Sequence, residues 1–159
     1  MSEAAESPRL VTFRIGADLY AADVRQVERV VRFITPRRVP RLPEWIEGLM
    51  EHDGRVMPVV DMRRRLGAPV SESGPQTRLL LLDVEGEWCA MIVDQVLDVR
   101  AYAVESVSPP PQLVRGHAGE LFSATVKRGD ALVVVLDFTR LFTPAERREL
   151  STADDSAHV

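Results

Sequence analysis

Few side chains in this chain could do chemistry, and their spacing limits what they could do. The three histidines are His52, His117 and His158. His52 stands in Glu51-His52-Asp53-Gly54, with potential metal ligands adjacent in the chain. Neighbouring residues seldom converge on one ion, because coordination geometry favours ligands drawn from separated positions. No metal or cofactor is therefore expected. A hydrolytic site on Glu51, His52 and Asp53 is the catalytic alternative, and it would require bound metal.

Asp61, Asp94 and Asp137 end or interrupt apolar runs. A carboxylate there caps a turn by accepting from backbone amides. They do not form the polar pair that acid–base catalysis needs. The single cysteine, Cys89, lies within Trp88 to Val93, an apolar setting that favours a packed thiol over a nucleophile. Neither a glycine-rich phosphate loop nor a nucleophile elbow occurs, so the chain is not expected to be an enzyme.

Charge is the other candidate. The net charge is −4, yet residues 25–41 hold six arginines (Arg25, Arg29, Arg32, Arg37, Arg38 and Arg41) against one acid, Glu28. Arg63-Arg64-Arg65 adds a second cluster. Such a face could meet phosphate or an acidic protein surface. Only Phe33 interleaves as an aromatic, so a base-stacking platform is missing and nucleic-acid binding would rest on charge alone.

The elements that must position these residues repeat. Gly54 to Leu66 and Gly129 to Leu141 each read as a glycine turn, a β-branched strand, a closing Asp and a short Arg/Leu turn. Upstream, Leu10 to Val27 is echoed by Leu79 to Val96, each a hairpin turning near Gly16 or Gly86. The repeat predicts two small, similar β-barrels. Asp23-Val24-Arg25-Gln26 reads as a capping box opening a short helix that ends before Phe33, with Val24, Val27, Val30 and Val31 on one face. Pro43 suggests a second helical segment carrying Ile46, Leu49 and Met50. Pro58 predicts that its strand lies at an edge or carries a bulge. Residues 69–76 read as a connector, Ser108 to Pro111 as an extended loop, and Thr143-Pro144-Ala145-Glu146 as the cap of a C-terminal helix. Residues 1–8 and 151–159 are expected to be disordered.

With 159 residues, 45% hydrophobic and 28% charged, the composition is that of a globular protein able to build its own core. No apolar run approaches the roughly 20 residues of a membrane span. Met1 to Pro8 lacks a basic start and an apolar stretch, so cytoplasmic residence is expected.

The residues also carry a resemblance. Phe13-x-Ile15-Gly16 with Tyr20, Asp23-Val24-x-x-Val27-x-x-Val30, Pro40-x-x-Pro43-x-x-Ile46-x-Gly48 and Gly54-x-Val56-x-Pro58-Val59-Val60-Asp61-Met62-Arg63 resemble the first half of a CheW domain, the bacterial chemotaxis adaptor. Val93-Asp94-x-Val96-x-Asp98-Val99, the Pro109 to Pro111 loop and Leu136-Asp137-x-x-Arg140-Leu141 resemble the second half. Each motif is only a strand or turn pattern; the ordered series is specific.

The resemblance implies a mainly β fold over residues 9–150, with two five-stranded SH3-like barrels side by side, short helices and a C-terminal helix. It implies a non-catalytic scaffold that links the cytoplasmic tip of a methyl-accepting chemoreceptor to the regulatory domain of a histidine kinase. Val27, Val96 and Val99 match apolar positions of the receptor groove. Arg29, Val30, Asp53 and Gly54 match the kinase-facing surface. Two of these depart from the family: Glu51-His52-Asp53 stands where Asn-Leu-Arg is usual, and Arg29 stands where Glu is common. Both reverse a charge, which against an unchanged partner costs several kcal/mol. The chain is then a divergent adaptor with altered kinase contact, a receptor-side array modulator that has lost the kinase, or a nucleic-acid-associated protein through its basic face.

Overall fold

A computed structural model describes residues 7–70, 72–110, 121–142, 146 and 148. Its elements in order are β1 (Arg9–Ile15), β2 (Asp18–Asp23), β3 (Val27–Arg32), β4 (Ile46–His52), β5 (Arg55–Asp61), α1 (Met62–Leu66), β6 (Arg78–Val84), β7 (Glu87–Val93), β8 (Gln95–Ala101), β9 (Val107–Ser108), β10 (Phe122–Arg128) and β11 (Ala131–Leu136). Short 3-10 turns occupy Val24–Gln26, Val104–Ser106 and Phe138–Arg140. The expected termini lie largely outside the described residues, as do Thr143 to Ala145; Glu146 and Arg148 are helical.

The strands form two sheets, in the orders β3-β6-β7-β5-β4 and β8-β1-β2-β11-β10-β9. Apart from the two-residue β9, they correspond strand for strand, and this is the mainly β architecture of paired SH3-like subdomains. In each sheet an antiparallel hairpin, β6–β7 or β1–β2, meets a parallel partner, β5 or β11. Neither sheet is built from one continuous stretch of chain. The β1–β2 hairpin sends β3 to pair with β6 in the other sheet, and the β6–β7 hairpin returns β8 to pair with β1.

Packing explains the composition of the central strands. Leu79 and Leu81 point into their own barrel with Met57, Val59, Ala90 and Ile92. Leu80 and Leu82 point the other way, into a cluster with Val11, Phe13, Met91 and Phe138 that joins the sheets. A strand buried on both faces needs no polar alternation, which is why β6 reads as a run of leucines. The second barrel has its own cluster around Leu10, Ala21, Tyr102 and Val133.

Three sequence expectations are corrected. Beyond the turn at Val24–Gln26, the predicted helix is strand β3. Its β-branched valines favour extended chain, and a bulge between Val27 and Arg29 puts Val27 and Val31 on opposite faces although four residues separate them. The predicted segment from Ile46 to Met50 is strand β4, in which Ile46, Gly48 and Met50 are buried alternately. Gly48 is required there: a Cβ would lie 2.4 Å from the Arg37 carbonyl oxygen of the chain crossing it. Pro58 is not on an edge strand, since β5 lies between β7 and β4. The β5–β7 ladder begins only at Val59, and the bulge falls in β4 between Ile46 and Gly48.

Both exchange points are tied down by an aspartate. Asp61 caps α1 by accepting from the Arg63 amide, and it accepts from Arg63 Nε and Nη2 at 2.9 Å each. Arg63 Nη1 donates to Asp94 at 3.1 Å, and Asp94 accepts from the Gly16 amide at 2.6 Å. Asp94 lies between β7 and β8, so this chain of bonds connects α1, the second crossover and the β1–β2 turn. At the equivalent place Asp137 caps its 3-10 turn and accepts from Gln26 Nε2 at 2.9 Å, while Gln26 Oε1 accepts from the Phe138 amide. Gln26 thus reaches across the molecule instead of back to its own cap.

Arg63 is only 3% exposed, so removing it strands buried carboxylates. In urea unfolding, Arg63→Ala is expected to lose about 3–5 kcal/mol. Arg64→Ala, which removes a half-exposed pair with Glu47, should lose less than about 1 kcal/mol. Equal losses would show that the clamp is not structural.

Candidate functional site

The residues that could do chemistry hold structure. Asp61, Asp94 and Asp137 are engaged as turn caps and clamp acceptors. Burial would raise the Asp137 carboxyl, but hydrogen bonds from Thr139 and Gln26 and the nearby Arg140 charge outweigh it and hold it below the usual range. Cys89 is buried, and desolvation pushes its thiol up to about 12, the opposite of what a nucleophile needs. His52 Nε2 lies 3.5 Å from Asp53 Oδ2, and Glu51 is exposed. Among the described residues, no three His, Cys, Asp or Glu side chains come together as a metal site.

The second basic cluster is also structural. Arg63 is the buried clamp, Arg64 pairs with Glu47 at 2.7 Å, and Arg65 donates to Glu146 and to the Leu141 carbonyl, with its guanidinium 5.7 Å from the Trp45 ring centroid. Arg25 is neutralised by Asp23 at 2.7 Å. By contrast, Arg29, Arg32, Arg37, Arg38 and Arg41 make no ion pair among the described residues. The basic face is therefore narrower than the sequence suggested and begins at β3.

The apolar positions form two matched pairs. Val27 lies opposite Leu82 and Val96 opposite Phe13, and both are half-buried against the inter-sheet cluster. Each is followed by a bulge and then by an exposed valine: Val30, 39% exposed, on β3 and Val99, 44% exposed, on β8. Two Val-x-x-Val sequences thus occupy equivalent outer strands of the two sheets. The structure unites Val27 and Val96 on one cluster and leaves Val99 at the surface.

Arg29 is exposed on β3, while Asp53 and Gly54 make the β4–β5 turn with φ of 53° and 79°. Positive φ at both central residues is the type I′ pattern, for which Asp-Gly is a favoured pair. Asp53 therefore has a local reason to stand where it does.

Sequence reasoning missed a groove. Residues 34–40 cross beside the β4–β5 hairpin, held by paired hydrogen bonds between Arg37 and Leu49 of 2.8 and 2.9 Å. They enclose a volume of about 560 Å³ lined by Ile34, Val39, Leu49 and Val56, with Arg37, Arg38 and Glu51 beside them. The legible signals were Gly48, where only hydrogen fits, and the prolines of residues 36–43.

The CheW-like domain model matches residues 9–146. The chain is 30% identical over 150 residues to "Chemotaxis protein CheW" of Treponema pallidum (strain Nichols), covering 92% of this chain and 88% of that protein. It is 32% identical over 143 residues to "Protein FrzA" of Myxococcus xanthus, covering 87% and 88%. The crystal structure of the scaffolding protein TtCheW from Thermoanaerobacter tengcongensis aligns with a TM-score of 0.78 at 25% identity, over 86% of this chain and 88% of that one.

A packed role for Cys89 predicts that a thiol reagent such as DTNB leaves the native protein unlabelled at mildly alkaline pH and modifies the cysteine once guanidinium unfolds it. Rapid labelling of the folded chain would contradict this role.

Proposed function

The chain belongs to the CheW-like domain family, and from that premise we propose that it is a non-catalytic cytoplasmic adaptor joining a chemoreceptor tip to the regulatory domain of a histidine kinase. The observation that carries the proposal is the family match across residues 9–146. The chemotaxis and scaffolding names of its relatives supply the same context. No helix among the described residues is long and apolar enough to cross a membrane, and the receptor would provide the attachment to one.

In this proposal Val27, Val96 and Val99 form the receptor-binding surface. Val27 and Val96 are partly committed to the core, so Val99 is the position free to give its apolar area to a partner. Arg29, Val30, Asp53 and Gly54 form an altered kinase-facing surface. Arg29 reverses the sign usual at its position, as does Asp53, so a kinase suited to the usual pattern is disfavoured. The retention of Arg29, Arg32, Arg37, Arg38 and Arg41 without ion pairs among the described residues favours a contact adapted to a different partner over one simply lost.

Binding of purified fragments tests both surfaces. Val99→Asp is expected to weaken a chemoreceptor cytoplasmic fragment by about tenfold or more, with the affinity for the cognate kinase regulatory domain unchanged. Arg29→Glu with Asp53→Arg should tighten binding to the regulatory domain of the Treponema pallidum kinase relative to the wild type. Equal affinity of wild type and double variant for that domain would refute the altered surface.

A further inference from the structure

We infer that Arg32 and Arg78 receive a carboxylate of the chemoreceptor tip and so restrict which receptors this chain accepts, an inference that rests on the adaptor reading above. The two arginines stand opposite each other where β3 pairs with β6, and side chains directly opposite in an antiparallel ladder have Cβ atoms roughly 5 Å apart. Like charges at that separation oppose the pairing of their strands. Neither arginine makes an ion pair among the described residues. Arg78 Nη1 instead donates to the Pro75 and Thr77 carbonyls at 2.9 Å each. Those bonds hold its guanidinium in place and leave Nε and Nη2 without an acceptor among the described residues.

The fold itself does not need this pair. The outer strands of the two sheets correspond, so Val27 and Val30 of β3 match Val96 and Val99 of β8. Two residues further on, Arg32 matches Ala101, whose partner on β1 is Arg9. The second sheet therefore fills the same ladder position with one arginine and an alanine. The extra charge in the first sheet gives the free chain nothing, and a local choice that works against folding marks a functional site.

Direction identifies the partner. Arg78 and Leu80 project from one face of β6, and Leu80 points into the cluster between the sheets, so Arg32 and Val30 opposite them lie on that side too. Val27 reaches the shared cluster on this side, and Val99, opposite Val11, is exposed on it from the equivalent strand. Arg29 lies opposite Leu81, whose side chain enters the barrel core. Strand β3 thus turns Arg29 and Arg32 to different sides, and only Arg32 continues the apolar strip of Val27 and Val30. A carboxylate set between the two guanidiniums accepts charge-assisted bonds from both and cancels their repulsion. Nucleic acid phosphate would gain the charge contact but leave the valines in water. A receptor with a basic residue at that place would be rejected.

The test is titration calorimetry of the full chain with the cytoplasmic fragment of a chemoreceptor from the same genome, at low and high salt, beside urea unfolding. Arg32→Glu sets opposite charges across the ladder; it should raise the urea midpoint yet weaken receptor binding by about tenfold or more and flatten its salt dependence. Arg32→Gln, which removes only the charge, should fall between this variant and the wild type in both measurements. Exchange of one acidic residue of the receptor tip for lysine should restore binding to Arg32→Glu. Lys127→Glu, the same charge change at an exposed site on β10, should leave receptor binding as it was, and none of these variants should alter affinity for the kinase regulatory domain. If the wild type binds the receptor fragment and Arg32→Glu binds it equally well, or Lys127→Glu weakens it as much, the inference falls while the adaptor reading stands. It falls too if Arg32→Glu lowers the urea midpoint, or loses affinity only for the kinase domain or only for a duplex DNA probe. Failure of the wild type to bind the receptor fragment at all would overturn the adaptor reading itself.

Discussion

The reciprocal exchange of β3 and β8 is the constraint on which the rest of the structure depends. Each hairpin passes its next strand to the other sheet, so neither barrel can complete its sheet without the other. The exchange forces both faces of β1, β6 and β7 into apolar surroundings, one face toward a private barrel core and one toward the shared cluster. It also creates two crossovers between the sheets, and each is braced by side-chain hydrogen bonds: Asp94 by Arg63, which Asp61 holds in turn, and Gln26 by Asp137.

This arrangement suits a scaffold. A protein that holds two partners in a fixed relation must not flex between its binding surfaces, and lobes joined by exchanged strands and one buried cluster have no interdomain hinge of the usual polar, weakly packed kind. What the core does not consume is then available at the surface: equivalent valines on the outer strands, a groove beside β4, and arginines without ion pairs among the described residues. In the proposed reading these face a receptor on one side and a kinase on the other. In that reading the chain's own charges select which kinase is accepted.

Much of this was legible in the residues, and the failures have physical causes. The repeated glycine turn, strand and Asp carried through to equivalent ladder positions, because hairpin turns and caps are local. β3 was misread as a helix since a bulge lets valines spaced at three and four residues sit in a strand. β4 was misread because Pro43 and the Ile46, Leu49 and Met50 spacing imitate a helical stripe, while the decisive fact, the Arg37 backbone lying against Gly48, is a long-range contact. Arg63-Arg64-Arg65 read as one basic patch, yet its members face a buried clamp, Glu47 and Glu146. The groove arises from chain crossing and has no contiguous signature.

The central claim is that one rigid, exchanged fold engages receptor and kinase together. Sedimentation velocity on a chemoreceptor cytoplasmic fragment and the full-length cognate kinase, with and without this chain, tests it most directly. The account predicts that the chain draws all three into one faster-sedimenting complex that neither pair forms alone. It is contradicted if the chain binds each partner only in competition with the other, or if the two partners sediment unchanged in its presence.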